Sequence, residues 1–434
     1  MRNPFALIKS EFIRSVAILM SGNLFAQVIT VAVTPIVTRI YSPEEFGLFA
    51  LFMAIIGVCS QISSLCYERA ALLPKDESMA EAVLILSILV LLGFVLLIGL
   101  VCLFFGAEIA NILGNRELES WMLMVPVGVF VTGSINILNY WALRRKQFRL
   151  MSGSRVLEAV GAAIIKIALG FLIGGWSGGL LLGAMFGSII SLVVLYHYLG
   201  LCFGVLRDTW VSRQVISEVA AEYRQFPMYA SWNALLTVSS RYIPVFILSA
   251  LFGPAAVGFF NLASRMLTQP IAAISNSVSR VYFQKSASQL AESKSITSDL
   301  LKLLLSLFLL GVIPFSLLAI FAVEIFTFVF GEMWQVAGFY AQIMTPWFFL
   351  MFVRAPAGIV FEVCQRQRQK LIITFVNAIG SIAVMLGFYF NGASTATVIG
   401  VFVAVNTVMS VVQVMLAVKI ARDKDLGLLT LSVD

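Results

Sequence analysis

Four basic residues, Lys166, Arg241, Arg265 and Arg354, lie deep inside apolar stretches long enough to cross a membrane, and no Asp or Glu lies comparably deep. A charged side chain at a bilayer centre costs at least about 2.5 kcal/mol even on permissive insertion scales, so such residues usually face a polar cavity or meet a ligand. With no buried anion in the chain, an anionic ligand is the partner this pattern calls for. Arg241 and Arg265 suit that role best, because guanidinium offers a planar fork of donors matched to phosphate and carboxylate and cannot shed its proton. Lys166 could act similarly but could also become neutral in an apolar site. Arg354 stands two residues before Pro356, where an interhelical bond to backbone carbonyls is an equally good explanation.

Polar residues accompany these cations at helical spacing. Asn23, Gln27, Thr30, Thr34 and Thr38 recur at steps of four, three, four and four, which places them on one face. Asn233, Thr237, Ser240 and Arg241 form a second stripe, and Asn261, Arg265, Thr268, Ser275 and Ser279 a third. The three stripes are expected to line one cavity. Packing competes with that reading, since any single Ser or Thr in a membrane helix more often bonds a neighbouring helix. For Asn406, Ser410 and Gln413 packing is the first reading.

The elements that must position these residues follow from composition. The chain has 434 residues, 60% of them hydrophobic and 12% charged, with a mean hydropathy of +0.98. A soluble protein of this length could not hide that much apolar surface, so the chain is an integral membrane protein. The net charge of +7 would suggest nucleic acid in a soluble chain, but here the placement of each charge matters more, and no nucleic-acid partner is expected. A hydrocarbon core about 30 Å thick needs about 20 helical residues. Twelve runs qualify, at roughly 15–38, 46–66, 82–105, 120–141, 155–174, 179–200, 227–250, 257–279, 300–322, 338–361, 371–390 and 396–418.

With the N-terminus placed in the cytoplasm, 23 of the 29 Lys and Arg fall in cytoplasmic segments, and only Arg39 and Arg116 fall outside. The positive-inside rule therefore predicts that both termini are cytoplasmic. The longest connections, near 201–226 and 280–299, leave no room for a soluble catalytic domain.

The halves resemble one another. Ser21-Gly-Asn23-Leu matches Ser231-Trp-Asn233-Ala, Pro35 matches Pro244, and Pro43-Glu-Glu-Phe-Gly47-Leu-Phe49 matches Pro254-Ala-Ala-Val-Gly258-Phe-Phe260, in the same order. Six spans per half is an even number, so a repeat would be related by an axis along the membrane normal. The expected fold is an all-α membrane protein of about twelve spans in two six-helix lobes, 1–205 and 227–434, with a pseudo-two-fold axis and a central cavity. Residues 206–226 form a basic cytoplasmic linker in which Val211–Val219 could make a short surface helix. Prolines 35, 244, 270, 314, 346 and 356 permit bends. Gly179, Gly183 and Gly187 give the sixth span a small-residue face for close packing.

Some chemistry is not expected. There is no GxxxxGK[ST] phosphate loop for ATP hydrolysis. Cys59, Cys66, Cys102, Cys202 and Cys364 form no CxxC pair and read as small core residues. His197, the only His, stands at the end of a span and reads as an interface residue. Glu68, Glu158 and Glu362 near the inner side and Glu324 and Glu332 near the outer side form no acid/base dyad by sequence. No catalytic residue, metal or cofactor is expected.

Three segments resemble lipid-linked oligosaccharide flippases of the Wzx type: Thr38-Arg39-Ile-Tyr-Ser-Pro43-Glu-Glu-Phe-Gly47-Leu-Phe49, Leu251-Phe-Gly-Pro-Ala-Ala-Val-Gly258-Phe-Phe-Asn-Leu-Ala-Ser-Arg265 and Phe330-Gly331-Glu-Met-Trp334-Gln-Val-Ala337-Gly338. That family shares a superfamily with the cation-coupled multidrug exporters. The resemblance implies a bacterial inner-membrane protein with membrane lipids around it. Its cargo would be an oligosaccharide on a polyprenyl diphosphate, moved from the cytoplasmic to the outer leaflet for O-antigen, capsule or exopolysaccharide assembly. Polysaccharide polymerase and chain-length machinery would be its partners. Arg265 falls where the family commonly carries Arg, whereas Arg241 falls where many members carry another polar or acidic residue. A multidrug antiporter is the main rival, but it would normally need a deep carboxylate. A glycan polymerase or ligase would need a large outer loop bearing Arg or His. A lipid II type flippase would tend to carry two extra spans.

Overall fold

The structure is a computed structural model that describes residues 4–199, 213–291 and 295–427. Fifteen α-helices follow one another: α1 (Pro4–Ile40), α2 (Pro43–Ile62), α3 (Tyr67–Ala70), α4 (Glu77–Ile112), α5 (Val125–Arg144), α6 (Phe148–Ile173), α7 (Ser177–Tyr198), α8 (Arg213–Glu222), α9 (Ser231–Phe252), α10 (Pro254–Ala291), α11 (Thr297–Phe330), α12 (Gln335–Val353), α13 (Ala357–Val363), α14 (Gln367–Phe390) and α15 (Thr395–Asp425). No strand occurs among the described residues.

Eleven of the twelve expected spans are helices long and apolar enough to cross a membrane. The twelfth, 257–279, lies in the 38-residue α10, whose polar content, including Asn261, Arg265 and Gln269, leaves it less apolar than the others. Local chemistry sets the boundaries. Ser42 and Glu45 form a capping box at the start of α2, with Pro43 in the first turn, where its missing N–H costs nothing. Two spans expected to be continuous are interrupted. The second breaks after Ile62, where Leu65 and Cys66 both adopt positive φ. The tenth breaks at Arg354–Pro356, because proline cannot donate the next helical hydrogen bond. The other expected prolines lie inside helices.

Two compact units are present, Met1–Val257 and Gly258–Asp434. In the first, α1 packs on α6, α6 on α7, α4 on α5, and α5 also on α2 and α7. Glycine permits the close α6–α7 seam: a Cβ at Gly183 would sit 2.4 Å from Lys166 Cγ, and one at Gly187 would sit 2.6 Å from the Glu158 carbonyl oxygen. Leu84 and Leu91 of α4, Ile137 and Trp141 of α5 and Leu195 of α7 form one buried cluster. The described part of the linker, α8, docks its apolar face beside α3 and α4, with Val219 fully buried. Residues 206–212 of the linker, and Cys202, lie outside the described residues. Cys66, Cys102 and Cys364 are buried and Cys59 half-buried.

In the second unit α11 packs on α12, α12 on α15, and α14 on α15. Phe308 and Phe315 of α11 meet Phe349 of α12 at ring distances of 5.2 and 5.4 Å. Asp425, at the end of α15, accepts hydrogen bonds from the Ile296 and Thr297 amides at 3.0 and 3.1 Å and from Ser295 Oγ at 2.6 Å, so it closes the start of α11.

The packing order α4–α5, α5–α7, α6–α7 recurs as α11–α12, α12–α15, α14–α15. The turns before α6 and α14 each hold a left-handed non-glycine residue, Lys146 at φ 55° and Gln365 at φ 57°. Pro43 and Pro254 each open a helix. The division into compact units departs from the repeat at one helix. α9, the seventh span, packs on α2 and is counted with the first unit.

Candidate functional site

Within the first unit, Asn233, Thr237 and Arg241 follow one another at four-residue steps along α9, and all three are exposed. Asn233, Ala234, Thr237 and Val238 form one wall of a cavity of about 270 Å³ whose other wall is Gln61 and Arg69. Arg241 continues the Asn233–Thr237 face one turn beyond this cavity.

Arg69 reaches the cavity through the break after α2. The left-handed residues Leu65 (φ 50°) and Cys66 (φ 60°) turn the chain into α3, a conformation that costs energy for residues with a Cβ. The adjoining Glu68 is 4% exposed. It accepts a hydrogen bond from Ser64 Oγ and lies 3.9 Å from Arg69 Nε. Burial holds its carboxyl above the usual range, against the opposing pull of Ser64 and Arg69. Tyr140 of α5 stands beside Arg69, whose Nε is enclosed with no hydrogen-bond partner.

The other expected site residues divide into several groups. Asn23 accepts a hydrogen bond at 2.7 Å from Arg155 of α6. Thr30, Thr34 and Thr38 return their hydroxyls to carbonyls one turn back, on Ala26, Thr30 and Pro35, and Gln27 is half-buried beside them. Ser240 bonds the Leu236 carbonyl, and Thr237 that of Asn233, in the same manner. Lys166 sits in the α6–α7 seam with its ammonium 4.5 Å from the centre of the Phe49 ring, a cation–π contact away from the α9 wall.

In the second unit Arg354 donates to Gln413 of α15, an interhelical link to a side chain, where anion binding and a link to backbone carbonyls were equal expectations. Asn406 joins Asn377 at 2.9 Å and Ser381 at 3.2 Å, so the twelfth-span residues serve packing. On α10, Asn261 and Arg265 are half-buried and Thr268 is exposed. Neither Arg265 nor, in the first unit, Arg241 has an ion pair or hydrogen bond among the described residues. On the same helix, Ser264 Oγ, Gln269 Oε1 and Ser275 Oγ are buried without hydrogen bonds.

Sequence reasoning missed Gln61, Arg69 and Arg155, having placed both arginines in cytoplasmic segments. The run Gln61-Ile-Ser63-Ser64, polar inside an apolar span and followed by Glu68-Arg69, is the signal that could have found the cavity. It also placed Glu68 merely near the inner side, whereas the protein encloses it.

The comparisons agree with this architecture. A multidrug resistance MATE family transporter of the MOP superfamily, in an inward-facing conformation, superposes with a TM-score of 0.73 at 16% identity, over 95% of this chain and 98% of that one. The lipid II flippase MurJ in an inward closed conformation gives 0.73 at 12% identity, over 94% and 90%. At these identities the likeness shows the fold. The succinoglycan biosynthesis transport protein ExoT of Rhizobium meliloti (strain 1021) is 26% identical over 267 residues, which make up 57% of this chain and 48% of that protein. The chain thus spans about half the length of this relative. The model of the family described as "Polysaccharide biosynthesis protein" matches residues 36–338. The chain belongs to that polysaccharide biosynthesis family, as a multi-pass membrane protein whose fold is like that of the MATE transporter and of MurJ.

Proposed function

We propose that the chain carries a polyprenyl-diphosphate-linked oligosaccharide from the cytoplasmic to the outer leaflet of a bacterial inner membrane, by alternating access of two six-helix lobes. The observation that carries this reading is that Arg241 and Arg265, in the seventh and eighth expected spans, have no carboxylate or hydrogen-bond partner among the described residues. Guanidinium left unpaired in a low-dielectric setting favours a phosphate ligand. The name of the relative, a succinoglycan biosynthesis transport protein, supports a saccharide cargo.

In this reading Arg241 and Arg265 hold the diphosphate or an acidic sugar, and the exposed faces of Asn233 and Thr268 meet the glycan. An outward-moving diphosphate leaves a negative interior, which releases about 2.3 kcal/mol per charge per 100 mV. The membrane potential thus contributes to the drive. In this reading both termini lie in the cytoplasm, a topology that the distribution of Lys and Arg supports.

The test is a deletion strain complemented, at matched expression, with wild type, Arg241→Ala or Arg265→Ala. Surface polysaccharide and lipid-linked precursor are measured in each. Wild type restores the polysaccharide, while each variant loses most of it and accumulates precursor. Normal polysaccharide in the uncomplemented strain, with every other flippase gene removed, overturns the assignment.

A further inference from the structure

We propose that the cavity between the α2–α3 break and α9 is a phosphate-binding subsite, distinct from the Arg241 and Arg265 positions, with Arg69 as its anion anchor. This rests on the transport reading above and adds a second station for the cargo's charged head.

Three observations support it. Gln61, Arg69 and Asn233 bring amide and guanidinium groups to one space of about 270 Å³, enough for a phosphate and bound water. The Arg69 side chain is 34% exposed while its Nε is enclosed, so the terminal guanidinium nitrogens are the ones left to the cavity. Finally, two consecutive left-handed residues, neither of them glycine, persist only where the surroundings over-determine them, and they stand in the turn that leads to Arg69.

Burial disfavours the charge on Glu68, which weakens the internal competitor for Arg69. Along α9 the subsite lies at the Asn233–Thr237 level and Arg241 one turn farther on, about 6 Å along the helix axis. A phosphate released from Arg69 therefore has a second guanidinium within one step.

The full-length protein in phosphatidylcholine nanodiscs is titrated with farnesyl diphosphate and, separately, with farnesol. Wild type should prefer the diphosphate. Arg69→Gln should weaken diphosphate binding tenfold or more and leave farnesol unchanged, and Arg69→Lys should recover part of the loss. Asn233→Leu, which removes an amide donor from the opposite wall, should cost about threefold and guards against a misfolded Arg69 variant. Competition by phosphatidylglycerol that depends on Arg69 would support the subsite and assign the phosphate to bilayer lipid. Resistance to phosphatidylglycerol would support the subsite and assign it to the cargo's diphosphate. Wild-type affinity in both Arg69→Gln and Asn233→Leu overturns the subsite and leaves the transport reading standing. Equal binding of farnesyl diphosphate and farnesol by wild type overturns both.

Discussion

The two units treat their intramembrane polar groups differently. In the second, Arg354 is joined to Gln413, and Asn377, Asn406 and Ser381 form a chain of hydrogen bonds inside the seam of α14 and α15. In the first, Gln61, Arg69, Asn233 and Thr237 open into a cavity, with Asn233 and Thr237 exposed. Polar groups locked to one another rigidify helix packing, whereas groups left open remain available to a ligand. Residue type alone does not separate these outcomes. Arg354 at the end of α12 and Arg69 just past α2 are the same side chain, and only their neighbours tell them apart.

This contrast can be broken by measuring stability and transport together. The largest stability effect is expected from Arg354→Ala, which leaves the buried Gln413 acceptor unpaired and should cost about 1–3 kcal/mol. Thermal unfolding in detergent reads that loss, and adding Gln413→Ala should cost much less than the sum of the two. If Arg354→Ala kept the wild-type melting temperature yet abolished transport, the second unit would be functional where we read it as structural. Asp425→Ala removes the cap on α11 and should cost about 1 kcal/mol, readable as faster proteolysis near Ser295. Asn406→Ala should cost about 0.6 kcal/mol by the same unfolding assay, since polar links between membrane helices average little.

The smallest effect is one of pH. Glu68 is held above its unfolded value, so ionising it penalises the folded state, and that penalty grows as pH rises through the interval between the two values. Relative to Glu68→Gln, wild type should gain melting temperature as the pH is lowered from 7.5 to 5. Parallel curves for the two proteins would mean that the carboxyl is not strained by burial.

Most of the fold was legible in the sequence because membrane spans are written in length and apolarity, and all twelve expected runs fall on helices. The capping chemistry of Ser42-Pro43-Glu44-Glu45 lies in the resemblance segment, where the sequence was matched as a motif without its capping role. The interruption after Ile62 was not, because Leu65 and Cys66 are ordinary apolar residues and only tertiary context drives them to positive φ. That single turn also hid Arg69, which a straight helix would have left at the membrane edge. The stripe on α1 was legible as a face, but its threonine hydroxyls are satisfied by their own helix. Spacing reports direction and says nothing of whether a hydroxyl is already occupied.

The Asp425 contact has a consequence for biosynthesis. The residue that closes the start of α11 is translated 128 residues after Thr297, so a nascent chain carries this helix into the bilayer with its first amides uncapped. The second unit reaches its final order only after Asp425 has left the ribosome. A stalled or prematurely terminated product would present that frayed end to the quality-control proteases of the cell.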